Sequence, residues 1–383
     1  MSMLRETLVN ETDGQSDRPA GRIRVGPMAL GMPRHWFPIL RSSGLGDAPV
    51  RIKRFGMMLA VWRDSAGRPN VVQDRCPHRG ASLSLGKIHD DSLSCPYHGW
   101  TFDRTGSCID IPFGDEQDDR RATIMRRTTI QAYPAEDRAG YIWAFYGPVA
   151  DVKPLSIVPY ELEDPRWSLF QQEYVWDTNW LNILDNILDP VHALFVHVGV
   201  ATQLRRAKLS QFEVEDFDEG FHLSKRGMLD GKMAEETPAE FRLPSLFRID
   251  LADGTPRGVM RVIMISTPID ENSTFLCYIQ GRRVTGWDRL WWRFQWWTKY
   301  RAAQDTIKAQ DLAILDRLGP IEDTRRHENL AHSDVGVVHL RRRLNRAFAE
   351  SQGSESRGSG KDVRASERLK PIPTLYAKWE SDP

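Results

Sequence analysis

The stretch C-P-H-R-G-A-S-L-S-L-G-K-I-H-D-D-S-L-S-C-P-Y-H-G-W, Cys76 to Trp100, holds two of the four cysteines and three of the ten histidines of a 383-residue chain. Cys76-x-His78 and Cys95-x-x-His98 offer two thiolates and two imidazoles from two short loops, with sixteen residues between the pairs. Two kinds of centre take that donor set. Zinc binds two cysteines and two histidines tetrahedrally, whereas a two-iron two-sulfur cluster can take both thiolates on one iron and both imidazoles on the other. Zinc fingers pair their cysteines first and carry the histidines on a following helix. Here each loop brings one of each, which fits the two-iron cluster because each loop then touches both irons. Neutral imidazoles in place of thiolates also raise the reduction potential, suiting such a centre to pass electrons forward.

Composition narrows the setting. Lys plus Arg equals Asp plus Glu at 52 each, so no basic excess points to nucleic acid or to recruitment by bulk charge. The first 27 residues are polar and of mixed charge, without the apolar centre of a secretion signal, and no later segment reaches the ~20 apolar residues of a membrane span. The expectation is a cytoplasmic protein without a disulfide framework, its few cysteines left for metal binding or burial.

Order is expected to begin near His35–Leu40, after a flexible tail over residues 1–27. Short strand-like runs at Arg51–Arg63, Asn70–Arg75 and Gly140–Gly147, with turn signals between them, predict a small all-β domain over residues 28–150. Strand candidates at Ser168–Trp176, Phe221–Arg226, Arg257–Pro268 and Ser273–Arg282 follow, with helical patterns at Asn179–His197, Trp287–Leu318 and Val337–Glu350. That order predicts an α+β second domain over residues 151–383, with a Ser/Gly-rich mobile loop at 350–366.

A second constellation lies in N-W-L-N-I-L-D-N-I-L-D-P-V-H-A-L-F-V-H, Asn179 to His197. Pro190 breaks a long helix or opens a new one. His192 and His197 are five residues apart, more than one turn, so a bend is needed to bring their rings together. Two histidines plus a carboxylate from elsewhere make the facial triad that leaves positions on Fe(II) open. Alone, the pattern is weak and suits buried histidines bonded to backbone better than a metal site. Downstream, Asp305, Asp311 and Asp316 are candidate carboxylates on a helical segment.

Taken together, C-P-H-R-G and C-P-Y-H-G-W resemble the cluster signature of Rieske ring-hydroxylating and demethylating oxygenases, and lack the extra loop cysteines of respiratory Rieske proteins. L-D-N-I-L-D-P-V-H is similar to the iron-site segment of the dicamba and vanillate O-demethylase branch, while the segment after Leu318 is similar to phthalate-oxygenase relatives. The resemblance spans Trp36 to Leu344. It implies Cys76, His78, Cys95 and His98 as [2Fe-2S] ligands, His192, His197 and Asp311 as ligands of a mononuclear iron, and Asn186 as a site-lining residue. Asp189 is implied to bond an iron-ligating histidine and to bridge to His98 of a neighbouring subunit in a head-to-tail homotrimer.

The implied fold is a Rieske β-domain followed by a helix-grip, START-like domain with an antiparallel sheet. The implied activity is O2-dependent hydroxylation or oxidative demethylation of a small aromatic or cyclic substrate, with electrons from NAD(P)H through a ferredoxin or flavin reductase. Aromatic cis-dihydroxylation is the alternative, and a Rieske electron carrier with a degenerate iron site the more distant one. Two features lie outside this scheme. Trp287–Tyr300 gathers five of the thirteen tryptophans on one helix and more than one of its faces, which suits core packing, a subunit contact, a donor dock or a membrane-surface contact. Cys108 and Cys277 are expected to be buried and unreactive, and His89 to be an ordinary surface residue.

Overall fold

The computed structural model describes residues 26–112, 119–197, 207–229, 232–235, 238–252 and 259–353. The flexible tail expected before residue 28 lies almost wholly outside them. Order starts earlier than His35: Gly26–Leu30 forms a short 3-10 turn whose Met28 and Ala29 are buried. The reason is tertiary. Their carbonyls receive the Trp180 indole N–H at 3.0 Å and the Asn179 amide at 3.2 Å, from a helix that lies far along the chain.

The first half is built of three small antiparallel sheets among the described residues. His35–Arg41 pairs with Tyr141–Tyr146, so the two ends of this half close on one another. The run Arg51–Arg63, expected as one strand, is a hairpin: Val50–Arg54 and Met57–Arg63 turn at Phe55 and Gly56, both with positive φ. Its tip is used, since the Phe55 and Gly56 N–H groups each donate at 2.9 Å to the carbonyls of Pro268 and Ile269. Helix α1, Asp119–Arg127, interrupts a stretch expected to be all β. D-R-R-A-T-I-M-R-R has strong helix formers, an acid in the first turn and arginines in the last, as the helix dipole favours.

The second half folds on an antiparallel sheet. Its order is Trp167–Trp176, Thr274–Arg283, Val259–Pro268, Leu246–Ala252, Ala239–Arg242, Gly220–Leu229 and Ala207–Phe217, with Lys232–Glu235 also on Gly220–Leu229. The central pair, V-M-R-V-I-M-I-S-T-P and T-F-L-C-Y-I-Q-G-R-R, is buried on both faces. Helices α2 (Trp180–Ile187) and α3 (His192–Val196) flank Pro190. Asn179 caps α2 by accepting from the Leu181 N–H at 3.0 Å.

A continuous helical stretch then crosses the sheet as α4 (Gly286–Gln295), a π segment (Trp296–Tyr300) and α5 (Arg301–Leu315). Trp292, Trp296, Tyr300, Gln304 and Lys308 are buried at every fourth residue. That spacing would drift around an ideal α-helix of ~3.6 residues per turn, and the wider π turn absorbs part of the drift. Trp296 stacks on Phe170 at 4.4 Å and the Trp292 N–H donates to the Ser168 carbonyl at 2.9 Å. α6 (Ile321–Arg326) and α7 (Val335–Gly353) follow, and α7 takes in the first four residues of the segment expected to be a mobile loop, the rest of which lies outside the described residues. The largest hydrophobic cluster joins Phe37, Leu59 and Ile142 of the first half to Trp180, Leu276 and Tyr278 of the second.

Candidate metal centres

Cys76 and Cys95 begin two loops of the same design. Gly80 and Gly99, four residues after each cysteine, both adopt positive φ (76° and 73°) and donate back to that cysteine's carbonyl at 2.8 and 3.0 Å. Only glycine holds this left-handed turn without strain, and a Cβ at Gly99 would meet Pro112 at 2.7 Å. The two thiols are buried and in contact, and burial together with the adjacent Cys95 pushes the Cys76 thiol up to about 11. The imidazoles come together on their own side: the rings of His78 and His98 are 4.6 Å apart, with Trp100 stacked on His78 at 4.7 Å and Tyr97 against His98 at 3.8 Å. Two sulfurs buried together and two rings at the surface form a donor set divided by type. His89 is exposed in the intervening hairpin, and Cys108 and Cys277 are buried elsewhere.

The second site stands where α3 faces α5. His192 opens α3 and His197 ends it outside regular helical geometry, with φ −91° and ψ 30°. This departure, with the Pro190 break, brings both rings toward α5. Asp311 Oδ1 lies 3.7 Å from His192 Nε2 and 3.4 Å from His197 Nε2, and one donor atom of each residue falls within 4.8 Å of the others. Asp311 Oδ1 is buried without a hydrogen-bond partner. Burial raises the Asp311 pKa, opposed by His197, His192 and a hydrogen bond from Asn186. Burial also lowers that of His192, against the pull of Asp311. The outer ring nitrogens are held by acceptors, so both Nε2 lone pairs are left for the centre. His192 Nδ1 donates to the Asp189 carbonyl and His197 Nδ1 to Gln310 Oε1 at 3.2 Å.

Asp189 departs from expectation in one respect. Its backbone carbonyl, not its carboxylate, holds His192, while carboxylate Oδ1 accepts from the Val191 N–H at 2.8 Å. A residue before proline is disfavoured in the helical region, and Asp189 lies between α2 and α3, in neither helix. Asp316 caps the end of α5 and pairs with Arg317 at 3.5 Å, while Asp305 pairs with Lys308 at 2.8 Å; neither joins the site. Gln310 was not legible beforehand, because a glutamine beside Asp311 on a helix carries no chemical signal of its own. Buried Lys308, Tyr278, Gln280 and Gln304 and half-buried Tyr174 form a polar cluster that begins one turn before Asp311.

A family profile for the Rieske [2Fe-2S] domain matches residues 35–134, and one for the vanillate O-demethylase oxygenase C-terminal domain matches residues 176–350. The chain belongs to the Rieske non-haem iron oxygenases. This oxygenase subunit is 26% identical to the oxygenase subunit of 3-chlorobenzoate-3,4-dioxygenase from Comamonas testosteroni, covering 89% of the chain and 90% of the relative. It is equally identical, at 26%, to that of 5,5'-dehydrodivanillate O-demethylase from Sphingobium sp., over 94% and 86%. Dicamba monooxygenase bound to dicamba shares the fold at a TM-score of 0.65 and 22% identity, over 84% of this chain and 98% of that one. The oxygenase in a ferredoxin complex of carbazole 1,9a-dioxygenase does so at 0.68 and 20%, over 88% and 98%.

The cofactors of this Rieske oxygenase are a [2Fe-2S] cluster and a mononuclear iron that works with O2. The residues present fit both: divided sulfur and nitrogen donors in twin loops suit the cluster, and an orphaned buried carboxylate oxygen facing two imidazole nitrogens suits Fe(II). No helix of the described residues is long and apolar enough to cross a membrane.

Proposed function

We propose that Cys76, His78, Cys95 and His98 hold the Rieske cluster, that His192, His197 and Asp311 hold the iron, and that the enzyme hydroxylates or oxidatively demethylates a small aromatic or cyclic substrate in the cytoplasm. The observation that carries this reading is Asp311 Oδ1, buried, without a hydrogen-bond partner and within 3.7 Å of two imidazole nitrogens. When bound, the cluster and iron supply electron transfer and O2 activation; the protein's part is to bind, orient and exclude water. Asn186 supports the Asp311 carboxylate, and Gln310 and the Asp189 carbonyl keep the imidazoles in the tautomer that leaves Nε2 free. On an O- or N-methyl substrate, hydroxylation gives a hemiacetal or hemiaminal that releases formaldehyde.

The demethylation reading is favoured by the vanillate O-demethylase profile over residues 176–350. Dioxygenase relatives favour a second reading, aromatic cis-dihydroxylation. A ferredoxin donor is supported by the ferredoxin complexes of the carbazole oxygenase, and a flavin reductase would supply the electrons with it or in its place. A head-to-tail homotrimer places the Asp189 carboxylate of one chain against His98 of the partner subunit, and Asp189 Oδ2 carries no hydrogen bond among the described residues.

The test uses variants that separate the two centres. Cys95→Ser removes the Rieske EPR signal and leaves the second iron loadable, and His197→Ala does the reverse; a Rieske signal surviving in Cys95→Ser refutes the cluster assignment. Verified mixed trimers of Cys95→Ser and Asp311→Ala chains regain turnover if electrons cross between subunits, and stay inactive if each chain serves itself. Isotopically labelled O2 then separates formaldehyde release from cis-diol formation.

A further inference from the structure

The helical stretch that carries Asp311 begins with a face that the site does not use. Trp287 is 86% exposed, and Leu290, Trp291, Phe294 and Trp297 are each 57–59% exposed. Their spacing places all five within about 120° of the helix circumference, opposite Trp292 and Trp296, which pack on the sheet. With large aromatics presenting ~150–250 Å² each when open, the stripe amounts to about 700 Å², beyond the 300–600 Å² of an ordinary largest surface patch. It lies roughly 20–35 Å along the helix from Asp311, counted at ~1.5 Å per residue, and so is remote from any contact that serves the iron site.

Charge decides what covers it. From Arg283 to Arg301 the chain carries five basic residues, Arg283, Arg289, Arg293, Lys299 and Arg301, and one acid, Asp288. A second copy seated on this face through a two-fold axis would bring like charges together, because such a contact is self-complementary, and the head-to-tail contact of the proposed trimer is built instead on His98 and Asp189, at the far end of this helical stretch. An anionic lipid surface neutralises them. Tryptophan favours the boundary between headgroup and acyl chain, and basic side chains beside an aromatic face are the features of a helix that lies in the membrane plane.

We propose that this helix seats the enzyme on an anionic lipid bilayer, with Trp287, Leu290, Trp291, Phe294 and Trp297 in the interfacial layer and the flanking arginines at headgroup level. The enzyme is peripheral, held by one helix face without a spanning segment.

The holoenzyme is sedimented with vesicles of phosphatidylglycerol and phosphatidylcholine in equal parts, and with phosphatidylcholine alone. Wild type partitions onto the anionic vesicles, less so at high salt, and brominated lipid quenches its tryptophan fluorescence. Leu290→Glu/Trp291→Glu lowers partitioning about tenfold or more, while iron content and the Rieske EPR signal stay at wild-type level, showing that the variant is folded. Absence of wild-type binding, or equal binding by the double variant, overturns the proposal. So does a lipid-free particle mass that is larger for wild type than for the variant, since the face would then be covered by another copy.

Discussion

Gln310 is the cheapest point at which to challenge the geometry of the iron site. Its Oε1 accepts from His197 Nδ1 at 3.2 Å, a neutral hydrogen bond at the long end of the range. In the metal-free chain, losing it costs about 1 kcal/mol or less. Once the imidazole shares its lone pair with a cation the N–H becomes more acidic, and charge-assisted bonds are worth ~1.5–3 kcal/mol. The long distance argues for the lower end. Gln310→Ala therefore weakens iron binding about tenfold, near 1.4 kcal/mol, within the ~10–100-fold range for such orienting residues. Gln310→Glu, a stronger acceptor, holds iron at least as well as wild type. The assay is anaerobic Fe(II) titration of protein stripped at the second site, competed against a chelator, with the Rieske visible spectrum as an internal control. An affinity of Gln310→Ala within twofold of wild type refutes the idea that Gln310 orients His197. A parallel loss of the cluster spectrum means that the variant has damaged the fold instead.

Asp189→Asn keeps the carbonyl that holds His192, so both metals stay bound, but turnover falls at least about tenfold, because an amide whose oxygen stays on the Val191 N–H turns its NH2 donor, not an acceptor, toward His98 of the partner subunit; unchanged turnover with full metal content removes the bridge. Asp185 joins α2 to α6 and α7 by accepting from Arg325 at 2.6 Å and Arg341 at 2.8 Å, two arginines whose side chains are 4% exposed. Asp185→Asn leaves a buried guanidinium poorly paired, so urea unfolding should show a loss of about 3–5 kcal/mol; less than about 1 kcal/mol contradicts the burial argument. Burial lowers the His35 pKa to about 4, against the Pro33 carbonyl and with help from Lys153. A histidine depressed on folding takes up its proton more readily when unfolded. Stability from this residue is therefore present above pH 6.5 and lost as pH falls toward 4, by at most about 3 kcal/mol. His35→Gln should flatten that part of a pH-dependent denaturation series, and an unaltered slope counts against it.

Local signals carried much of the site. Twin loops with a cysteine, a histidine and a glycine at fixed offsets are legible because each loop builds its half of the donor set from its own residues, down to the glycine that must turn left-handed. Pro190 was legible as a break for the same reason. The hairpin at Phe55–Gly56 was missed because a single glycine between two strand-like runs is a weak turn signal and the turn's geometry is supported from elsewhere, by the carbonyls of Pro268 and Ile269. Gly26–Leu30 was missed because its order comes from Trp180 and Asn179.

By itself the sequence determined the donor types, their spacing and the alternation of β and helical segments, since these depend on residue chemistry and short-range geometry. The tertiary structure alone decided which aspartate faces the histidines. Asp305, Asp311 and Asp316 share one helical segment, and their ranking from residue pattern rested on resemblance. Packing of the Trp292–Lys308 stripe on the sheet sets the helix rotation that turns Asp311 inward and leaves Asp305 and Asp316 to pair with Lys308 and Arg317. That same rotation turns Trp287, Leu290 and Trp291 outward. Rotation about a helix axis is fixed by what the helix packs against, and in this chain that surface is a sheet whose strands begin more than a hundred residues earlier.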